Sequence, residues 1–121
     1  MDKQGTARFT ITRNSIADAV VLGISGEIDV STSRGADAGL RTASEPRPQP
    51  ALVVVDLTTV GFFSAAGVHL LAGFGRSCEN RGLRHHIVAT TGTIARKVVL
   101  ITGLNEEFPT FSSVDEALHA A

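Results

Sequence analysis

Apolar and polar positions near the start of the chain alternate as they do in two adjacent β-strands. Phe9 and Ile11 fall on one face of residues 8–12, and the run AVVLGI forms a second strand at 19–24. The connecting residues include asparagine, serine and aspartate, which favour turns. This pattern predicts an antiparallel hairpin. Residues 1–7 are polar and are expected to be a disordered or frayed terminus.

The segment after the hairpin predicts a weak helix, a loop and a buried strand. The hydroxyl residues at 31–33 could cap a helix that runs to about residue 43, although its glycines lower its stability. The stretch SEPRPQP at 44–50 holds three of the four prolines and is expected to be a surface loop. The continuously apolar run ALVVV at 51–55 predicts a strand covered on both faces, which Asp56 ends.

The next elements are a long helix, a strand and a shorter helix. Residues 65–80 predict the long helix, because four of its positions recur on one face: Gly67, Leu71, Phe74 and Cys78. Residues 83–89 predict a strand with one face partly solvated. Thr93 can cap a further helix that Gly103 ends. Three side chains of that helix are expected to point inward: Ile94, Val98 and Ile101.

The chain closes with a short strand at 107–111 and a helix that Ser113 and Glu116 open through a capping box. The complete order is ββαβαβαβα. Because strands and helices alternate after the hairpin, the order predicts an α/β domain at 8–121 with a mixed, mostly parallel sheet and about four helices.

Composition restricts the partners that this domain can have. The formal charge is −1, there is no basic block, and tryptophan and tyrosine are absent, so nucleic-acid binding is not expected. No apolar run is long enough to span a bilayer, and no signal peptide precedes the domain, which favours a cytoplasmic protein. A single cysteine allows neither an internal disulfide nor a zinc site.

Catalytic motifs are missing from the sequence. There is no P-loop, and Ser64 lacks the flanking glycines of a nucleophile elbow and an evident base. His85 and His86 are neighbours on a strand and point to opposite faces, so they cannot hold one metal ion. Cys78 lies on an apolar helix face, where a thiol is unreactive. We therefore expect no catalytic residue, metal or cofactor, and an enzyme with Ser64 as nucleophile is the least favoured function.

The segment between the most buried strand and the longest helix, residues 56–67, is the best candidate for a binding site. Two phenylalanines precede a run of very small residues there, and small side chains let another backbone approach closely. The N–H groups at a helix start also favour an anion. The alternative is purely structural, with Ser64 as a helix cap and the small residues as packing clearance.

Four short motifs follow one another along the chain: GEID at 26–29, DLT at 56–58, FFSAAG at 62–67 and VVLITGL at 98–104. In this order and spacing they resemble the G-E-[LI]-D, D-[LF]-[ST], F-[IML]-D-S-[ST]-G and L-x-x-x-G-L motifs of the STAS domain of bacterial anti-sigma-factor antagonists. The resemblance covers the chain from about Arg8 to Leu118 and implies a STAS-like fold.

The resemblance also implies a function. Such proteins bind an anti-sigma factor, usually a small serine kinase of the histidine-kinase ATPase fold, and so free a sigma factor for transcription. The kinase phosphorylates the serine that follows Asp in D-S-[ST]-G, and the phosphoprotein is released. In this sequence that position is Ala65, between Ser64 and Ala66. Control by phosphorylation is therefore absent, shifted to Ser64 as acceptor, or replaced by another signal. Constitutive binding or control without phosphorylation is favoured over the shift to Ser64.

The residues expected to contact the partner lie in the GEID turn and at the start of the long helix: Glu27, Asp29, Phe63, Ser64, Ala65, Ala66, Gly67 and Val68. Arg96 and Lys97 are weaker candidates. An alternative from another class is a STAS-like sensor or scaffold that binds a small ligand or assembles into a larger signalling complex. A monomer or weak dimer is expected.

Overall fold

The computed structural model describes residues 2–5, 8–45 and 50–120, which form one six-stranded sheet and five helices. The strands are β1 (Asp2–Gly5), β2 (Phe9–Ile16), β3 (Ala19–Ile28), β4 (Leu52–Phe63), β5 (Arg84–Val88) and β6 (Thr110–Phe111). The helices are α1 (Val30–Ala43), α2 (Ala65–Asn80), α3 (Ile94–Thr102), α4 (Leu104–Glu107) and α5 (Val114–His119).

The strands lie in the sheet in the order in which they occur in the sequence. β1, β2 and β3 pair antiparallel, and β3, β4, β5 and β6 pair parallel. The mixed α/β sheet with an N-terminal hairpin is thus confirmed. Residues 2–5 differ from the expected frayed terminus, because their backbone pairs with β2, whereas Met1, Thr6 and Ala7 lie outside the described residues.

Helices cover both faces of the sheet. The larger core lies between one face and helices α1 to α4, and the smaller core lies under α5. Side chains of β4 alternate between the two, with Val53 and Val55 in the larger core and Leu52 and Val54 in the smaller. This double coverage explains the continuously apolar run that marked β4 in the sequence.

β4 is the main departure from the predicted boundaries, because it continues past Asp56 to Phe63. Beyond Asp56 the strand keeps pairing with β3, and buried residues recur at Leu57, Val60 and Phe63. The polar Thr59 between them is satisfied across the pair, where its hydroxyl lies 2.8 Å from that of Ser25. The sequence shows where the apolar run ends, but it does not show that the strand continues, because the continuation depends on pairing with β3.

The histidines of β5 and the outer residues of α3 also differ from expectation. His85 and His86 are both buried, because α5 covers the face that was expected to be partly solvated. They do point to opposite faces, as predicted: His85 packs between Phe74 and Phe108, and the Nδ1 of His86 lies 2.9 Å from the carbonyl oxygen of Ala117.

On α3 the side chains of Ala95 and Val99 face the core, while Ile94 and Ile101 are exposed. The helix carries two apolar stripes, and its sequence does not show which stripe the sheet accepts. The helix limits were predicted well: Thr93 caps α3, Gly103 ends it with a positive φ, and Ser113 caps α5. The single turn α4 was not predicted, since its residues were assigned to a loop and a strand.

Candidate partner-binding site

The turns predicted separately at 26–29 and 62–67 lie side by side. β3 and β4 are parallel and end together, so Glu27 is opposite Phe62 and Ile28 is opposite Phe63. The N–H of Ser64 donates a hydrogen bond to the carbonyl oxygen of Ile28 at 3.0 Å. The starts of α1 and α2 are thereby brought to one edge of the sheet, where the carboxyl ends of parallel strands commonly form binding sites.

Within the GEID turn the glycine has a steric role. Gly26 has a φ of 99°, and a Cβ there would overlap the backbone carbonyl of Arg8. The close approach lets the N–H of Glu27 donate to the carbonyl oxygen of Arg8 at 2.9 Å. Only glycine combines this backbone conformation with this contact.

The aspartate of the same turn caps α1, although the hydroxyl residues at 31–33 were predicted to do so. The Asp29 Oδ1 accepts hydrogen bonds from the N–H groups of Ser31 and Thr32 at 2.9 and 3.1 Å. In return, the N–H of Asp29 donates to the hydroxyl of Thr32 at 2.9 Å, which completes a capping box. Asp29 is the cap, and not one of the hydroxyl residues, because it has an extended backbone and lies between the end of β3 and the start of the helix.

An arginine outside the predicted set binds both acidic residues of this turn. The Arg8 guanidinium donates to the carboxylates of Glu27 and Asp29 and to the hydroxyl of Ser31. The hydrogen bond from the Ser31 hydroxyl, followed by the one from Arg8, lowers the pKa of Asp29 to about 2 against the opposing effect of desolvation. No local signal marks Arg8, because the register of β2 with β3 brings it here.

The two adjacent phenylalanines point to opposite sides of β4. Phe63 lies in the larger core, whereas Phe62 is half-exposed. Gly67 is also buried, and a Cβ on it would overlap the Phe63 ring. Phe63 and Gly67 were expected to contact a partner directly, but the structure places both in the core, where they fix the approach of α2 to β4.

Ser64 occupies the N-cap position of α2 without capping it. Its side chain makes no hydrogen bond to the helix, and its Oγ is buried with no partner among the described residues. The next residue, Ala65, is exposed, and Ala66 and Val68 are half-buried. A hydroxyl at position 64 is therefore withdrawn from solvent, whereas one at position 65 would be open to it.

Four exposed residues and the half-buried Ala66 form a surface at this edge, which we call the docking edge: Glu27, Val30, Phe62, Ala65 and Ala66. Val30 and Phe62 are additions to the predicted set. Val30 is the first residue of α1, and the residue is 83% exposed. The cap at Asp29 is the sequence signal that could have identified Val30, since the residue after a cap begins the first turn of the helix.

An open groove between α1 and α2 adjoins the docking edge. It has a volume of about 530 Å³, and Ala66 forms part of its wall. Its polar residues include Arg34, His69 and Asp37, whose Oδ2 pairs with Arg41 at 2.9 Å. The Oδ1 of Asp37 is buried and has no hydrogen-bond partner among the described residues.

The described residues contain no group of three or more metal-ligating side chains. Burial raises the pKa of the Cys78 thiol, which disfavours the reactive thiolate. None of the described helices is both long and apolar enough to cross a membrane. Among the residues described, the edge offers apolar contacts and charge.

The sheet is mixed and opens with an antiparallel hairpin, and its parallel strands place the GEID turn beside the start of α2. Together these features define the class of α/β domain to which the protein belongs. The family model described as "STAS domain" matches residues 10–117, and the chain belongs to that family.

Similarity extends to anti-sigma factor antagonists. The chain is 28% identical over 110 residues to the anti-sigma-F factor antagonist RsfB of Mycobacterium tuberculosis, across 91% of this chain and 87% of RsfB. A crystal structure of an anti-sigma factor antagonist from Mycobacterium paratuberculosis superimposes with a TM-score of 0.75 at 25% identity, covering 91% of each chain. The antagonist SpoIIAA in its unphosphorylated form shares the fold, with a TM-score of 0.68 at 22% identity over 89% of this chain and 92% of SpoIIAA.

Proposed function

We propose that this chain is an anti-sigma-factor antagonist that binds a serine-kinase anti-sigma factor through the docking edge and is not released by phosphorylation. The exposed Ala65 carries this proposal, because it stands at the position of the family's phosphoacceptor and has no hydroxyl. The domain would then act constitutively, with its activity set by its abundance.

The environment of Ser64 supports constitutive binding over a shifted acceptor. A kinase must align the attacking hydroxyl with the γ-phosphate of ATP, but the Ser64 Oγ is covered by the domain itself. To reach a kinase the hydroxyl would have to leave this position, on a residue whose N–H is bonded to the carbonyl oxygen of Ile28 on β3.

The composition of the docking edge supports a protein partner. Phe62 and Val30 expose apolar surface, and the small side chains of Ala65 and Ala66 allow a partner backbone to approach closely. Arg8 partly neutralises Glu27 and Asp29, so the acidic turn does not repel a partner by charge alone. Aromatic residues, phenylalanine among them, are enriched in protein interfaces relative to the rest of the surface.

The test uses the kinase-fold anti-sigma factors encoded in the same genome. Each is mixed with ATP and the wild-type chain, Ala65→Ser or Ser64→Ala, and intact mass and binding are measured. We expect the wild type to bind and to gain no mass, whereas Ala65→Ser gains the roughly 80 Da of one phosphoryl group and then binds at least tenfold more weakly. A phosphorylated wild type whose modification is lost in Ser64→Ala would overturn constitutive binding.

Phe62→Ala tests the location of the interface. We expect it to weaken the complex by roughly tenfold to a hundredfold, in keeping with loss of a buried aromatic anchor. Ile16→Ala, which truncates an exposed aliphatic side chain on the hairpin, is the matched control and should leave binding unchanged. Equal affinities for wild type and Phe62→Ala would place the interface elsewhere.

The groove between α1 and α2 favours a second candidate function, a sensor that binds a small ligand. A Cβ on Gly73 in this groove would meet no atom of another part of the chain within 4 Å, so a side chain can be introduced there to reduce the space. Native mass spectrometry of the chain purified from its own host should then show a bound ligand that is absent from Gly73→Leu. A wild-type chain without bound ligand would remove this candidate.

A further inference from the structure

The outer face of α3 is apolar, and no described element covers it. Ile94, Leu100 and Ile101 are 56%, 48% and 76% exposed. Ile94 and Ile101 are seven residues apart, so they lie on the same side of the helix, two turns from each other. Lys97 lies between them on the same face. The opposite side of α3 is already used, because Ala95 and Val99 are fully buried against the sheet.

This face is concave where α3 begins. The turn formed by Thr91, Gly92 and Thr93 walls a pocket of about 470 Å³, whose other side is formed by Leu100 and Ile101. A pocket of this size accommodates large side chains of a partner. A flat membrane surface would leave the pocket unfilled.

Two cations border the apolar residues, and neither forms an ion pair with a carboxylate in the described ranges 8–45 and 50–120. The guanidinium of Arg96 is held by the carbonyl oxygen of Ala89 at 3.1 Å. Lys97 is exposed, and its ammonium group is available to a partner. The charge of the face is therefore positive at its centre.

A second copy of the chain is a poor occupant of this face. A symmetric antiparallel pairing of two α3 helices would place Lys97 near Lys97 of the other copy within an apolar contact. Like charges that lose their water in this way repel each other strongly. A partner with a carboxylate at that position meets the lysine favourably.

We propose that the outer face of α3 binds an amphipathic helix of another protein, which inserts a large aliphatic side chain into the pocket and places a carboxylate beside Lys97. This surface is separate from the docking edge, and the inference does not depend on the proposed function. It would give the domain a second protein partner, or a second contact with a larger one.

The test uses two synthetic amphipathic peptides with the same leucine face, one flanked by glutamates and the other by lysines. Binding to the full chain is followed by the methyl NMR signals of isoleucine and leucine. We expect the glutamate peptide to shift the signals of Ile94, Leu100 and Ile101, and to bind at least tenfold more weakly to Lys97→Glu. The lysine peptide should prefer Lys97→Glu over the wild type.

Ile101→Ser is expected to abolish binding of the glutamate peptide, while Ile16→Ser, an exposed aliphatic residue on the hairpin, serves as control. Thermal unfolding of both variants establishes that the fold is kept. The inference is overturned if neither peptide binds or if both bind equally. It is also overturned if Ile101→Ser instead abolishes binding to phosphatidylglycerol vesicles, or dissociates a dimer of the wild type.

Discussion

The backbone carbonyl of Arg8 fills the space that a side chain on Gly26 would need. The chain at the start of β2 therefore passes the end of β3 at contact distance, and the N–H of Glu27 donates a hydrogen bond to the Arg8 carbonyl oxygen. The same close approach brings the Arg8 side chain to the carboxylate of Asp29, which caps α1. Gly26, the first residue of the GEID motif, thus sets the geometry in which Asp29, the last residue, caps α1 and binds Arg8.

Gly26→Ala should destabilise the domain by more than about 1 kcal/mol, because the new Cβ meets backbone and the φ of 99° is unfavourable for alanine. Gly73→Ala is the matched control. It lies within α2 with open space around it and should stabilise the protein by up to about 1 kcal/mol. Urea unfolding measures both, and equal stabilities for the two variants would contradict the steric role of Gly26.

Ser64→Ala should leave the unfolding free energy unchanged or raise it slightly. The Oγ of Ser64 is buried and makes no hydrogen bond to a described residue, so its removal costs no bond and relieves the loss of hydration. Thr93→Ala is the comparison, because the Thr93 hydroxyl caps α3 by accepting from the N–H of Arg96 at 3.2 Å. That change should cost about 1 kcal/mol. A similar loss in both variants would mean that Ser64 does cap α2.

Asp29 should make the domain sensitive to strong acid. Its pKa is lowered to about 2 from the usual 3.8, so the folded state binds a proton less readily than the unfolded chain. Its stabilising effect is therefore complete above about pH 4 and is lost as the pH falls towards 2. Asp29→Asn keeps a capping side chain but not the charge, and should show a flatter stability profile in this window. Asp18→Asn, on the exposed hairpin turn, should retain the profile of the wild type.

His85 should make the unfolding free energy depend on pH in a milder range than Asp29 does. Burial, with a smaller effect from His86, lowers the pKa of His85 to about 4 from 6.5. Between these values the unfolded chain binds a proton that the folded chain does not, so the unfolding free energy falls as the pH falls from 6.5 to 4. The full change is roughly 3 kcal/mol for a shift of this size.

His85→Phe should remove this dependence, because the aromatic contacts with Phe74 and Phe108 remain while the titrating group is lost. His85→Leu is a second variant in case the larger ring does not fit. His69→Gln changes an exposed histidine and should keep the wild-type profile. Denaturant unfolding at several pH values measures the effect, and an unchanged profile in both His85 variants would assign it to other groups.

The sequence alone determined the features that depend on neighbouring residues. The limits of α2 at 65–80, the Thr93 cap and the Gly103 stop were all predicted, because helix periodicity, capping oxygens and glycine at a positive φ act within a few residues. The alternation of strands and helices was likewise enough to give the mixed sheet. The four motifs gave the family, which the match over 10–117 establishes.

Only the tertiary structure decided what depends on distant residues. β4 continues to Phe63 because β3 offers it a partner, and α3 turns Ile101 outward because Ala95 and Val99 fit the sheet. Arg8 reaches Asp29 through strand register alone. In each case the local pattern did not specify the arrangement, and packing or pairing with residues far away in the chain decided it.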